Sequence, residues 1–105
     1  MKTYYKIVEN DNGQLKTVHY CINRSRNLER GKWISSAYKM VADRGKGKRY
    51  RSGIHILWSR QEAEDYLRKF KKNKENKIIV ECQARHVRLK NHKTNVLLAG
   101  QIKII

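Results

Sequence analysis

The sequence predicts an α+β domain, in which one well-defined helix packs on one face of a mostly antiparallel sheet of about five strands. Stretches rich in β-branched and aromatic residues recur between polar turns, which is typical of strands. One later segment instead spaces its apolar residues three and four positions apart, as a helix does. The 105 residues include no proline and no linker-like stretch, so residues 1–105 are expected to form a single domain.

The chain is predicted to begin with a β-hairpin. Residues 3–9 (TYYKIVE) have the composition of a strand, and Asn12-Gly13 follows them. Asn-Gly favours a type I′ turn, because both central residues of that turn need a positive φ. The return strand is then expected over residues 14–22.

The next segments predict a polar loop and then one short element. Residues 23–32 (NRSRNLERGK) have the composition of a surface connection. In residues 33–43 the apolar positions match helical spacing and strand alternation about equally, and the alanine and methionine favour a second short helix over about 33–43. Trp33 is expected to lie in the core, as large aromatic side chains usually do, although its ring could also stack on a base.

The strand–helix unit in the middle of the chain carries the clearest local signals. Residues 54–58 form a short apolar run that predicts a buried strand. Ser59 has the position of a helix N-cap, and Glu62 three residues later completes a capping box. The helix is predicted over about 60–74. Its apolar stripe consists of Ala63, Tyr66, Leu67 and Phe70.

The chain is predicted to end in a second hairpin. Its strands are expected over residues 77–84 and 96–105, joined by a polar turn near 90–95. Val87 and Leu89 fall on the opposite parity to the apolar residues before them, so a bulge or bend is expected near Arg85–His86.

Net charge is the strongest indication of function. The chain has 25 lysines and arginines against 9 acidic residues, a net charge of +16. Such a charge opposes compaction, so an anionic partner is expected. Nucleic acid is the commonest such partner, and an acidic host-protein surface is the alternative. Two cysteines make no disulfide framework and no apolar run has the length of a membrane span, so we expect a cytoplasmic protein with no membrane partner.

The predicted binding site centres on a basic, glycine-containing loop over residues 44–52 (RGKGKRYRS). Its cations suit phosphate groups, and Tyr50 offers a ring on which a base could stack. Other cations would help from the earlier polar loop and from the end of the helix. The predicted nucleic-acid-binding residues are Arg44, Lys46, Lys48, Arg49, Tyr50 and Arg51, with Arg24, Arg26, Lys71 and Lys72.

Catalytic and metal-binding interpretations have weaker support. His19-x-Cys21 and Cys82-x-x-x-His86 contain zinc-ligand types, but their spacing matches no zinc-finger pattern, and cysteines more often face a core. Four histidines among many cations could serve a ribonuclease, yet nothing in the sequence brings two of them together. We therefore expect no metal, no cofactor and no catalytic residue, with a small ribonuclease as the second alternative function.

The segment from about Tyr38 to Ile105 resembles small phage- and prophage-encoded α+β domains of unknown function. The resemblance rests on Gly53-Ile54-His55, Glu62-Ala63 with Tyr66, a strand over 78–82 and a closing strand over 99–105. It implies a viral or mobile-element origin and a role in host or nucleic-acid interaction. The sequence thus predicts a non-enzymatic nucleic-acid-binding protein. Its alternative is a protein-interaction module that inhibits a host defence or nucleic-acid-processing protein through an acidic surface.

Overall fold

A computed structural model describes residues 2–18, 27–36, 40–42, 49–51, 53–70, 74–89 and 96–105. The first half of the chain contains β1 (Tyr4–Asp11), β2 (Gln14–Lys16), β3 (Asn27–Leu28), β4 (Trp33–Ser35), β5 (Met40–Ala42) and β6 (Arg49–Arg51). The second half contains β7 (Ile54–Leu57), α1 (Arg60–Arg68), a 3₁₀ turn (Lys74–Asn76), β8 (Lys77–Arg85), β9 (Arg88–Leu89), β10 (Val96–Ala99) and β11 (Gln101–Ile104).

Nine of these strands form one antiparallel sheet. Seven follow the order β4-β11-β8-β1-β7-β10-β9, while β2 pairs with β1 and β3 pairs with β2. Strands β5 and β6 pair with each other in a separate two-stranded sheet. The predicted α+β class is confirmed, but the prediction of about five strands is wrong. Strands of two or three residues, such as β3 and β4, are too short to produce a recognisable alternation and are fixed by backbone pairing with longer neighbours.

The first hairpin forms at the predicted turn. Asn12 and Gly13 both have positive φ, 51° and 91°. The Gly13 N–H donates to Asn10 Oδ1 at 2.9 Å, and Asp11 pairs with Gln14 across the turn. Strand β2 ends at Lys16, before the predicted end of the return strand, and residues 19–22 lie outside the described residues.

The predicted second short helix over 33–43 is wrong. Residues 33–35 form β4, and residues 40–42 form β5. Strand β4 pairs with β11 so that Ile34 lies opposite Ile102, and Ile34 packs against the main core. These residues therefore form strands rather than a helix, because strand pairing outweighs their helix propensity. Residues 37–39 lie outside the described residues.

The helix begins where it is predicted and ends earlier. Ser59 caps α1, since its Oγ accepts from the Glu62 N–H at 3.2 Å. At the other end, the Lys69 N–H donates to the Tyr66 carbonyl and the Phe70 N–H to the Leu67 carbonyl, a tightening typical of a last turn. The predicted end at 74 is wrong, because no apolar residue continues the stripe beyond Phe70. Residues 71–73 lie outside the described residues.

Replacing Ser59 with alanine is expected to lower the free energy of unfolding by about 1 kcal/mol, because an N–H of the first turn loses its partner. Urea unfolding of the two proteins measures the difference. Ser59→Asp is the matched control, since a carboxylate also accepts from that N–H and should preserve stability. An equally stable Ser59→Ala variant would show that the cap does not stabilise α1.

The apolar residues divide into two clusters on opposite faces of the sheet. The main core includes Val8, Leu15, Leu28, Ile54, Ile56, Val80, Cys82, Leu97, Ala99, Ile102 and Ile104. The helix-side cluster, on the outer face, contains Ile7, Leu57 and Ala63, with Tyr5, Val18, Leu67, Phe70, Ile79 and Val96 packed against it. Side-chain alternation along β1 explains the division, because Ile7 and Val8 point to opposite faces.

The closing hairpin forms with the predicted bend. Strand β8 pairs with β11 and β9 with β10, and the pairs Gln101–Arg85 and Leu98–Arg88 keep the same register on both sides of the bend. At the bend His86 has a φ of 57°, and the Gly100 N–H donates to the Arg85 carbonyl at 3.0 Å. A Cβ at Gly100 would lie 3.1 Å from the Cβ of His86, so glycine allows the close approach.

Candidate nucleic-acid interface

Most of the predicted phosphate-binding residues lie outside the described part of the chain. These are Arg24, Arg26, Arg44, Lys46, Lys48, Lys71 and Lys72. The backbone of Arg49–Arg51 is described, and it forms β6 rather than part of a loop. Val41 of β5 pairs with Tyr50 of β6, so the strands on either side of residues 43–48 are joined by a ladder.

Both tryptophans have a cation on the ring. The Arg85 Cζ lies 3.7 Å from the centroid of the Trp33 ring, and the Lys2 Nζ lies 3.9 Å from that of Trp58. These distances are those of cation–π contacts. Trp58 is 52% exposed and Trp33 is partly exposed. The chain therefore presents its two largest aromatic rings together with positive charge.

The expectation that Trp33 lies in the core is wrong. Its neighbour Ile34 packs against the main core, so Trp33 lies on the outer face of the sheet. By the same alternation, side chains of β11 and the end of β8 join it there. The Trp33 face, as we name it, comprises Trp33, Ser35, Gln83, Arg85, Gln101 and Lys103.

Strand pairing fixes the geometry of the Trp33 face. Lys103 lies between Trp33 on β4 and Gln83 on β8. Its Nζ is 5.9 Å from the Trp33 centroid, so two cations approach the same ring. Between Arg85 and Ser35 lies Gln101, whose Nε2 donates to the Ser35 Oγ at 2.9 Å. The face thus combines one aromatic ring, two cations and three neutral polar side chains on paired strands.

Two carboxylates, one on β8 and one before β4 in sequence, have cationic partners. Glu81, next along the outward side of β8, lies 3.7 Å from Arg60. Before β4, Glu29 pairs with Lys32 at 2.8 Å, and this hydrogen bond lowers the pKa of Glu29 and raises the pKa of Lys32. Among the described residues, no carboxylate forms an ion pair with Arg85 or Lys103. Within that part of the chain, the charge of those two side chains is not neutralised by a carboxylate.

A second aromatic group lies where β1 and β7 meet α1. The Tyr4 and Trp58 rings meet edge to face at 5.9 Å, and Tyr4 also packs against the main core. The guanidinium of Arg60 lies 5.4 Å from the centroid of the Tyr5 ring. Trp58 thus packs edge to face on Tyr4 while about half of its own surface faces solvent.

A third aromatic group lies at the end of α1. Tyr66 and Phe70 meet edge to face at 6.0 Å. Lys69 lies 5.8 Å from the Tyr66 centroid, and Lys77 lies 5.1 Å from that of Phe70. These contacts are longer than the shortest cation contact at each tryptophan, and Phe70 itself packs into the helix-side cluster. In sequence, Lys69 lies two positions before the predicted Lys71, and Lys77 lies five positions after the predicted Lys72.

One cation that is not among the predicted binding residues is buried. Lys6 is 8% exposed, and its Nζ donates to the carbonyl oxygen of His55 at 2.8 Å. Burial lowers the pKa of Lys6 to about 8 and raises the pKa of Cys82 to about 11. Strand alternation in the sequence indicates this position, because Lys6 lies on the same face of β1 as Tyr4 and Val8, which both face the main core.

Cys82 lies in the main core, as a core-facing cysteine was expected to do. Within the described ranges, no three histidine, cysteine, aspartate or glutamate side chains lie close enough to hold a metal ion. His19, Cys21 and His92 lie outside those ranges. The described part of the chain also has no helix with the length and apolar character needed to cross a membrane.

Comparison of the chain with protein-family models, with curated proteins and with solved structures finds no match.

Proposed function

We propose that this protein binds nucleic acid without catalysing a reaction on it. The observation that carries the proposal is the placement of Trp33 at the surface, with the Arg85 guanidinium 3.7 Å from the centroid of its ring, in a chain with a net charge of +16. Aromatic rings stack on bases and cations neutralise phosphates, and this combination is typical of proteins that bind nucleic acid with little sequence preference.

Phosphate contacts supply most of the affinity in this proposal. They come from the basic segment 44–51, with help from Arg24, Arg26, Lys71 and Lys72. The protein acts in the cytoplasm, which is the host cytoplasm if a phage or mobile element encodes it. A binding role also fits the titratable groups, because the two described groups with the largest pKa shifts, Lys6 and Cys82, are both buried in the core.

Direct binding measurements test the proposal. Fluorescence anisotropy with labelled single- and double-stranded DNA and RNA, across about 50 to 300 mM salt, is expected to show binding that weakens steeply as salt increases. Gel electrophoresis of the same samples should show intact nucleic acid. Absence of binding to every probe at the lowest salt would overturn the proposal. Cleaved probe would instead favour the ribonuclease alternative.

A protein-interaction module is the second candidate. Leu89 is 64% exposed and lies on β9, the last strand at one end of the sheet. Exposed apolar side chains beside cations suit an acidic protein partner that also offers an apolar contact. In this case the protein would inhibit a host defence or nucleic-acid-processing protein. Recovery of one host protein by affinity capture, lost on Leu89→Asp substitution, would favour it over nucleic acid.

A further inference from the structure

The helix leaves part of the outer face of the sheet uncovered. The helix-side cluster draws its sheet residues from β1, β7, β10 and the first half of β8. None of its members comes from β4, from β11 or from residues 83–85. Trp33, the one apolar side chain of the Trp33 face, does not pack in this cluster, so the face lies on the same side of the sheet beyond the residues on which α1 packs.

The side chains of this uncovered face suit an anionic ligand with aromatic groups. An uncovered sheet face normally carries scattered polar residues, whereas here two cations converge on one tryptophan at 3.7 and 5.9 Å. Gln83 and Gln101 add amides that both donate and accept hydrogen bonds. Neither cation is neutralised by a carboxylate within the described ranges. A polyanion that also contains flat rings can stack on the tryptophan, pair with the two cations and form hydrogen bonds with the amides.

We infer that the Trp33 face binds single-stranded nucleic acid, with a base stacked at Trp33 and the adjacent phosphates held by Arg85 and Lys103. The inference rests on the proposed function and names its substrate class. In a duplex the flat faces of the bases are covered by their neighbours, and the edges lie in grooves that a flat strand surface does not enter. In a single strand the bases can separate and stack on an aromatic side chain.

The guanidinium of Arg85 occupies a position that a base can take. At 3.7 Å from the ring centroid, it lies at stacking distance. A base that enters there gains the aromatic surface, and the released guanidinium gains a phosphate, which binds it more strongly than a ring does. Because the face is built on paired strands, the positions of Trp33 and Lys103 are set before binding.

The test compares variants on a fluorescein-labelled dT oligomer of about 15 nucleotides and on a duplex of the same length. Trp33→Ala is expected to weaken binding to the oligomer by about tenfold, because one stacked base is lost, and to leave duplex binding within about twofold. Trp58→Ala is the matched control, since it removes a tryptophan of similar cation contact from another surface. That variant should bind the oligomer like the unmodified protein.

A charge control and a fluorescence readout accompany these variants. Arg85→Gln is expected to weaken oligomer binding several-fold, whereas Arg68→Gln, which removes the same charge from the exposed helix, should change it little. Because the chain has two tryptophans, Trp58→Phe leaves only Trp33 as emitter. Titration of that protein with the oligomer is expected to quench its emission. The Trp33→Phe protein should show no quenching. This readout uses only phenylalanine substitutions, so it does not depend on whether the alanine variants fold.

Three results would overturn the inference. Trp33→Ala and Arg85→Gln could both bind the oligomer as the unmodified protein does, or Trp58 emission alone could be quenched. Alternatively, Trp33→Ala could lose duplex and oligomer binding equally, which would indicate a general rather than a stacking contribution. In all three the unmodified protein still binds nucleic acid, so the proposed function stands. If the unmodified protein binds no probe, the proposed function itself fails.

Discussion

Replacing Lys6 with methionine is expected to raise the free energy of unfolding by about 2 kcal/mol near neutral pH. Burial lowers the pKa of Lys6 from 10.5 to about 8. At 1.36 kcal/mol per pKa unit, keeping the charge buried costs about 3 kcal/mol. Methionine has no donor for the His55 carbonyl, and the loss of that hydrogen bond offsets roughly 1 kcal/mol of this. Methionine fills a similar volume without a charge, so the remainder appears as added stability.

The same group predicts how stability depends on pH. Between pH 8 and 10.5 the folded protein has released the Lys6 proton while the unfolded chain still holds it. The unfolded state then binds more protons, so the free energy of unfolding rises with pH. Cys82 acts in the opposite direction above its ordinary pKa of 9.0, because the folded thiol keeps its proton until about pH 11. The rise due to Lys6 should therefore be clearest between about pH 8 and 9.

Guanidinium unfolding at about pH 7, 8 and 9 measures both effects. The stability advantage of Lys6→Met over the unmodified protein should shrink as pH rises, and this difference cancels contributions from the other titrating groups. Lys69→Met is the control, since it removes a charge from an exposed position and should change stability by only about 0.5 kcal/mol. A Lys6→Met protein less stable than the unmodified one at every pH would show that the ammonium group stabilises the core.

Local sequence signals predicted the parts of the fold that depend on a few adjacent residues. Asn12-Gly13 specifies a turn by its φ angles, Ser59 specifies a helix start by its hydroxyl, and the parity change before Val87 predicts the bend at His86. Each of these features requires particular chemistry at one position. The prediction of the class followed from them, because two hairpins and one helix already imply an α+β domain.

Other features depend on pairing between distant segments, which a local pattern does not contain. Strand β4 exists because residues 33–35 pair with β11, about seventy positions later. That pairing also places Trp33 outside the core, so the error about the segment and the error about the tryptophan have one cause. The burial of Lys6 is not predicted for a different reason. Its alternation with Tyr4 and Val8 points inward, but a lysine is almost never fully buried without a partner.

Neutralising four cations of the predicted site is expected to cause the largest loss of nucleic-acid binding. The variant combines Lys46→Gln, Lys48→Gln, Arg49→Gln and Arg51→Gln. If each cation contacts a phosphate, the slope of log affinity against log salt should decrease in magnitude by about 3.6, which is four times 0.9. At about 0.1 M salt the same four contacts correspond to a loss on the order of a thousandfold. Anisotropy titrations at several salt concentrations measure both quantities.

A second variant with the same charge distinguishes this site from a general effect of net charge. It replaces Lys16, Lys32, Arg60 and Arg68 with glutamine, so that both variants carry four fewer charges than the +16 of the unmodified protein. Each of these four cations already pairs with a carboxylate, at 2.8, 2.8, 3.7 and 3.0 Å respectively. Because a paired cation attracts phosphate less, this variant should keep most of the affinity and of the salt slope. Equal losses in the two variants would mean that affinity follows total charge and that residues 46–51 form no distinct site. An unchanged slope in the first variant would remove those residues from the interface, and the Trp33 face would then have to supply the phosphate contacts.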